Sequence, residues 1–239
     1  IWFEGSRPKT IPAAIVPVIV GTASVENGLT LHRFVLALVV SIALQVGVNY
    51  ANDYSDGIRG TDQNRIGPRR LVGSGIINAN QVKLAAGISF LIAAIAGLVL
   101  AIMTSLWLIL IGCIAILAAW FYTGGSRPYG YSGYGEVSVF VFFGLVATVG
   151  SSYVQSQTIE SISILCSVPV GLLASALLVV NNFRDIETDS ETGKQTFAVR
   201  LGKAKTKMFF ASLLLASLGM YVLIAVVCTY LVLITLVVI

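Results

Sequence analysis

Between Asn49 and Gly75 the chain reads NYANDYSDGIRGTDQNRIGPRRLVGSG, directly after an apolar run over 34–48. Three acids (Asp53, Asp56, Asp62) and four arginines (Arg59, Arg65, Arg69, Arg70) crowd into 18 residues here. On a helix Asn49, Asp53 and Asp56 fall at i, i+4 and i+7 and share one face. Three mutually repelling acids at the edge of an apolar segment are hard to explain unless a cation sits between them. Oxygen-only ligands suit a hard ion such as Mg²⁺, which prefers a few carboxylates plus water and phosphate oxygens. The neighbouring arginines supply fork-shaped donors for those phosphates. The pattern points to a Mg²⁺-diphosphate site at a membrane surface.

A second acidic stretch, VNNFRDIETDSETGK over 180–194, also follows an apolar run. Like the first it opens with Val-Asn and places an Asp four residues after the Asn. Asn181, Asp185 and Asp189 fall at i, i+4 and i+8, again one helical face. One acidic helix end is an ordinary solvated boundary. Two with the same opening predict a shared site fed from both halves of the chain, and ionisable groups at membrane depth are functional by default. Lys194 stands nearest these acids and is the candidate phosphate contact. The remaining cations after it, Arg200, Lys203, Lys205 and Lys207, read as charges that orient the chain in the membrane.

A third polar loop, WFYTGGSRPYGYSGYGE over 120–136, surrounds Arg127 with aromatic rings. An interfacial belt accounts for some of these rings. The glycines at 124, 125, 130, 133 and 135 suit a loop that folds back over something, and electron-rich rings can line the path of a cation. His32 lies on the other side and has no evident role. Cys113, Cys166 and Cys228 sit in apolar runs and read as buried thiols.

The elements that position these motifs follow from composition. Of 239 residues, 56% are hydrophobic and 11% charged, with a mean hydropathy of +0.89. Soluble domains carry about 25% charged residues, so the chain reads as an all-α, polytopic transmembrane helical bundle forming a single domain over 1–239. Its net charge of +4 lacks the basic face that nucleic acid would need. Spans are expected at 11–27, 33–54, 80–102, 105–122, 136–155, 162–185, 205–225 and from 228 onward. The last stops inside the apolar run LVLITLVVI, which predicts further C-terminal residues. Every Lys and Arg except Arg33 falls at the N-terminus or on the side of the long loops. That side, and with it the N-terminus and the site, is expected to be cytoplasmic.

These stretches together resemble the UbiA superfamily of intramembrane aromatic prenyltransferases. The resemblance rests on RPKTIPAAIVPVIVGTA (7–23), NDYSDGIRGTD (52–62), RIGPRRLVGSG (65–75), YTGGSRPYGYSGYGE (122–136) and NNFRDIETDSETGKQTFAVRLG (181–202). The glycine-rich loops and the Arg-Pro-x-Thr start are most like the branch that acts on 1,4-dihydroxy-2-naphthoate. The resemblance implies nine helices, of which seven and part of an eighth are visible. It implies a polyprenyl diphosphate and 1,4-dihydroxy-2-naphthoate as substrates, with demethylmenaquinol, a menaquinone precursor, as product. Asp53, Asp56 and Asp62 on one side and Asp185 and Asp189 on the other would hold Mg²⁺. Asp53, Asp56, Asp185 and Asp189 would carry the catalysis. Arg59, Arg69, Arg127 and Lys194 would bind the diphosphate, and Asn49, Asn181, Tyr122 and Tyr131 would contact substrate. Ionisation would give an allylic cation, attacked by ring carbon 2 with loss of the carboxylate and a proton. A superfamily member with another acceptor, such as 4-hydroxybenzoate or homogentisate, is the alternative. An ion-coupled transporter is a distant one, because its acids would sit near the bilayer midplane. The polyprenyl tail is expected in an apolar cavity that opens laterally to lipid, with the Asp53 and Asp185 carboxylates facing each other at its polar end.

Overall fold

In lipid the backbone must satisfy its own N–H and C=O groups, which makes long apolar runs helical. The computed structural model describes residues 1–26, 29–61 and 70–228, and these contain helices and turns with no strand among them. In chain order they are α1 (Trp2–Gly5), a 3₁₀ turn (Pro8–Thr10), α2 (Pro12–Ala23), α3 (Leu31–Arg59), α4 (Ala79–Met103) and α5 (Trp107–Phe121). A second 3₁₀ turn (Tyr129–Ser132) and α6 (Gly135–Val139) follow, then a π-helical stretch (Phe140–Val146) and α7 (Ala147–Ser156). The chain continues through α8 (Ser161–Arg184), α9 (Ile186–Glu191) and α10 (Phe197–Val227).

Among the described residues, five helical segments are long and apolar enough to cross a membrane: α3, α4, the continuous run Gly135–Ser156, α8 and α10. α2 and α5 are shorter apolar helices. The expected spans match these elements to within a few residues, except that the first is shorter than expected. The span expected from 228 onward lies outside the described residues after Cys228. α10 begins earlier than expected, at Phe197, and is broken at Gly202, whose φ of 72° leaves the helical region.

α3 packs along α4, α2 along α7, and α8 against both α10 and the π-helical stretch. Where helices meet without a hydrophobic driving force between them, small residues allow close approach. A Cβ on Gly144 would stand 2.7 Å from the Gly171 Cα, so α8 and the π-helical stretch touch backbone to backbone. Tyr50, Ala51, Leu71, Val82, Ala86 and Phe90 form the core between α3, α4 and the segment after residue 70. At the opposite end of α3, Arg33 donates to the Val154 and Gln155 carbonyls at 3.0 and 3.2 Å, where α7 ends. A cation there complements the negative pole of the helix. Arg33 departs from the charge asymmetry because it has this structural task.

Candidate active site

α3 stays helical through Arg59 and ends at Gly60, whose φ of 71° is the left-handed stop a glycine allows. The first motif therefore lies on its last turns as expected, and Asn49, Asp53 and Asp56 are all buried. Each has a distinct task. Asn49 donates to the Ser6 carbonyl at 2.8 Å and to Thr10 Oγ1 at 3.1 Å, tying the N-terminal segment to α3. Asp53 accepts from the backbone N–H of Leu71 at 2.8 Å and of Val72 at 3.0 Å. Gly57 leaves room for the Val72 side chain, since a Cβ there would meet Val72 Cγ1 at 2.4 Å. The α3 end thus docks the returning chain and brings Arg70 back beside Asp56.

Asp56 carries the convergence of the two motifs. Lys194 Nζ lies 3.1 Å from its Oδ2 and 3.8 Å from Asp189 Oδ1. Arg70 NH2 lies 3.8 Å from the same Asp56 oxygen. The other oxygen, Oδ1, accepts from the Tyr131 hydroxyl. Acids from both motifs therefore share one ammonium, in a place where each side chain is at most 14% exposed. Buried carboxylates require such neutralisation. The helical pattern continues across the α8–α9 junction, with Asp185 N–H donating to the Asn181 carbonyl and Asp189 N–H to the Asp185 carbonyl. Asp185 itself takes a two-pronged contact from Arg184, at 2.8 and 3.0 Å.

The 122–134 loop closes the third side. Arg59 donates to the Thr123 and Gly125 carbonyls, and Thr123 Oγ1 donates to Asn52 Oδ1 at 2.8 Å. The Tyr131 ring lies 4.7 Å from Lys194 Nζ and 5.4 Å from the Arg59 guanidinium carbon. Burial, then the Asp56 charge and the hydrogen bond to it, pushes the Tyr131 phenol above its ordinary value, so it remains a donor at neutral pH. Gln195 N–H donates to the Tyr131 carbonyl at 2.9 Å, fixing the loop to the segment that carries Lys194.

Beside this cluster a cavity of about 1010 Å³ runs between α3, α4, α5, the π-helical stretch, α7 and α8. Its polar end is lined by Arg7, Thr10, Asn49, Asn52, Tyr122 and Asn181, and the rest is largely apolar. α5 packs on α4 and α3, and its Ile109, Cys113 and Ile116 face the cavity. The asparagines of both motifs thus meet at one cavity, as do Tyr122 and Tyr129. The Asp53 carboxylate is turned toward the 71–72 backbone. Asp56 and Asp189 share the Lys194 ammonium.

The sequence-predicted residues divide accordingly. Asp53, Asp56, Arg59, Tyr131, Asp185, Asp189 and Lys194 gather at this end of the bundle, and Asn49, Tyr122 and Asn181 line the adjoining cavity. Arg127 is exposed on the loop. Asp62 and Arg69 lie outside the described residues. Sequence reasoning missed Arg7, Thr10, Asn52 and Thr123, and it counted Arg70 among the clustered arginines without singling it out. Arg7 carried one signal, the Arg-Pro pair. A residue before proline normally takes an extended conformation, yet Arg7 has φ 53° and ψ 68°. Its carbonyl accepts from Thr10 N–H and Oγ1 at 2.8 and 2.9 Å. Such an outlier, worth about 1–3 kcal/mol of strain, persists only where surrounding contacts over-determine it.

Among the described residues no three acids close on one point as a ready-made metal site. The donor set nonetheless fits a hard cation. Asp56 and Asp189 already share a positive charge, and an all-oxygen set with phosphate nearby is what Mg²⁺ prefers.

Residues 14–239 match the UbiA prenyltransferase family. The chain is 50% identical over 215 residues to the 1,4-dihydroxy-2-naphthoate octaprenyltransferase of Mycobacterium tuberculosis, covering 89% of this chain and 74% of that protein. It is 41% identical over 226 residues to the Escherichia coli protein of the same name, covering 91% and 73%. In fold it is similar to a UbiA homolog from Archaeoglobus fulgidus solved bound to GPP and Mg²⁺. That likeness has a TM-score of 0.74 and 13% identity, over 95% of this chain and 78% of that one.

Proposed function

The chain belongs to the UbiA prenyltransferase family, and from that premise we propose that it transfers a polyprenyl group to 1,4-dihydroxy-2-naphthoate. Carbon dioxide and diphosphate leave, and demethylmenaquinol is the product. The observation that carries the reading is the Lys194 ammonium held between Asp56 and Asp189 beside an apolar cavity. It marks a place where acids from both motifs concentrate positive charge, which is what a diphosphate leaving group needs. Relatives named for naphthoate prenylation at 41–50% identity support the acceptor.

Mg²⁺ would be held by Asp56 and Asp189, with Asp53, Asp62 and Asp185 completing the set. When bound it neutralises the leaving diphosphate and promotes cleavage of the allylic C–O bond. Lys194, Arg59, Arg70 and Arg69 supply the remaining positive charge for the phosphates, with Arg127, exposed on the neighbouring loop, assigned to the same role. The Tyr131 and Tyr122 rings border the path from that charge cluster to the cavity, where electron-rich faces stabilise a developing cation. Apolar walls keep water from it. Arg7 is, among the described residues, the one charged side chain lining the cavity. It is the residue we assign to the acceptor carboxylate, with Thr10 and Asn49 holding it. When that carboxylate leaves as carbon dioxide, the bonding pair returns to the ring and restores its aromaticity. By the positive-inside rule the site faces the cytoplasm, with the N-terminus on the same side.

Purified protein incubated with polyprenyl diphosphate, Mg²⁺ and dihydroxynaphthoate should yield prenylated naphthoquinol by mass spectrometry. The same mixture with 4-hydroxybenzoate or homogentisate should yield none. Product from either of those acceptors, and none from the naphthoate, would reject the assignment. Turnover in excess EDTA would reject the metal.

A further inference from the structure

We infer that Lys194 is an internal stand-in for the divalent cation: it holds the two acidic motifs together before metal arrives, then releases Asp56 and Asp189 to the metal and turns to the diphosphate. The inference rests on the function proposed above. Both Asp56 oxygens are engaged, Oδ1 by the Tyr131 hydroxyl and Oδ2 by Lys194 at 3.1 Å. Oδ2 already has Lys194 Nζ at 3.1 Å and Arg70 NH2 at 3.8 Å, so a third cation in this small, buried space takes that oxygen only by displacing the nearer ammonium. Lys194 is built to move. Its backbone is fixed on both flanks, by Lys194 N–H to the Asp189 carbonyl at 2.8 Å and by Gln195 N–H to the Tyr131 carbonyl at 2.9 Å. Only the four-carbon side chain has to swing, and a flexible point charge suits that better than a planar guanidinium. The Tyr131 face, 4.7 Å from Nζ, gives the ammonium a second partner beside Asp56.

The consequence is competition. In the absence of diphosphate, Lys194 and the metal contend for the same carboxylates, so metal alone binds weakly. Diphosphate removes the contest by giving the ammonium another partner, which couples metal binding to substrate arrival. A purely phosphate-binding lysine has no such effect on metal alone.

The test is Mn²⁺ binding, followed by electron paramagnetic resonance on metal-free protein in detergent with neither substrate present. Lys194→Met should bind Mn²⁺ at least tenfold more tightly than wild type, and Lys194→Arg should bind it about as wild type does. Equal or weaker binding by Lys194→Met overturns the inference. Because the variant loses its internal cation, it is purified in Mn²⁺ and the ion then removed. Unfolding only on removal supports the stand-in role, whereas failure to fold even in Mn²⁺ refutes it. No acceptor enters this measurement, so an error in the assigned acceptor leaves its outcome unchanged.

Discussion

Asp53→Ala tests whether an acid of the first motif also builds the site that it serves. A site made only of repelling carboxylates would tolerate the loss of one, because removing a charge relieves repulsion. The structure predicts otherwise. Asp53 is 1% exposed, and its two oxygens accept from the Leu71 and Val72 N–H groups. An unsatisfied buried donor costs about 1–3 kcal/mol. Leu71 is fully buried and should incur nearly all of that, whereas Val72 is only half-buried and can recruit water. The expected loss is about 2–3 kcal/mol, or roughly 5–10 °C in melting temperature for a domain of this size. Asp53→Asn keeps an amide oxygen for Leu71 and should lose about half as much. Thermal unfolding in detergent, followed by fluorescence, gives both numbers. Limited proteolysis should find the 70–77 segment more readily cut in Asp53→Ala. If Asp53→Ala melts within about 1 °C of wild type, Asp53 does not dock this segment, whatever becomes of turnover.

Three further outcomes follow from the same contacts. Arg7→Gln should raise KM for dihydroxynaphthoate at least tenfold and leave KM for the polyprenyl diphosphate nearly unchanged; equal effects on both would place Arg7 elsewhere. Arg33→Gln removes charged donors from the end of α7, so it should cost about 2 kcal/mol of stability while leaving both KM values intact, and altered substrate affinity would break the separation of the two ends. The Tyr131 phenol is raised in the folded state, so its contribution to stability is complete below about pH 10 and declines above it, as the unfolded chain releases its proton first. Melting temperatures across pH 8–11 should therefore fall more steeply in wild type than in Tyr131→Phe, and parallel curves would contradict that.

The helices were legible because a membrane leaves the backbone few choices. An apolar run near 20 residues has to be a helix, and the expected spans over 80–102, 136–155 and 162–185 lie within a residue or two of α4, α6–α7 and α8. The meeting of the motifs was legible for a similar reason. Both follow spans of the same direction, so they must emerge on one side. What stayed hidden was which donor satisfies which acid. The Lys194–Asp56 contact joins residues 138 positions apart, and nothing local distinguishes Asp53, bound to backbone, from Asp56, bound to cations. Arg7 was hidden because a lone arginine before the first span reads as a topological charge. Its entry into the cavity depends on a left-handed backbone that its sequence disfavours. The π-helical stretch left no periodic signal either, since it fits a packing need between Gly144 and Gly171.

The division between apolar cavity and charged end also decides where substrate selectivity can reside. Moving a polyprenyl tail out of water is worth about 0.8 kcal/mol per CH₂. The tail does not come from water, however; it comes from a bilayer as apolar as the cavity walls. Its transfer into a cavity lined by residues such as Val40, Leu44 and Phe142 is therefore close to neutral, apart from the rotational freedom it loses. On the function proposed above, binding energy comes from the head instead, through the cations around Asp56 and Asp189, and for the acceptor through Arg7. Chain length should accordingly be weakly discriminated and the acceptor carboxylate strongly so, because an unpaired guanidinium at the polar end of an apolar cavity is penalised far more than a missing isoprene unit.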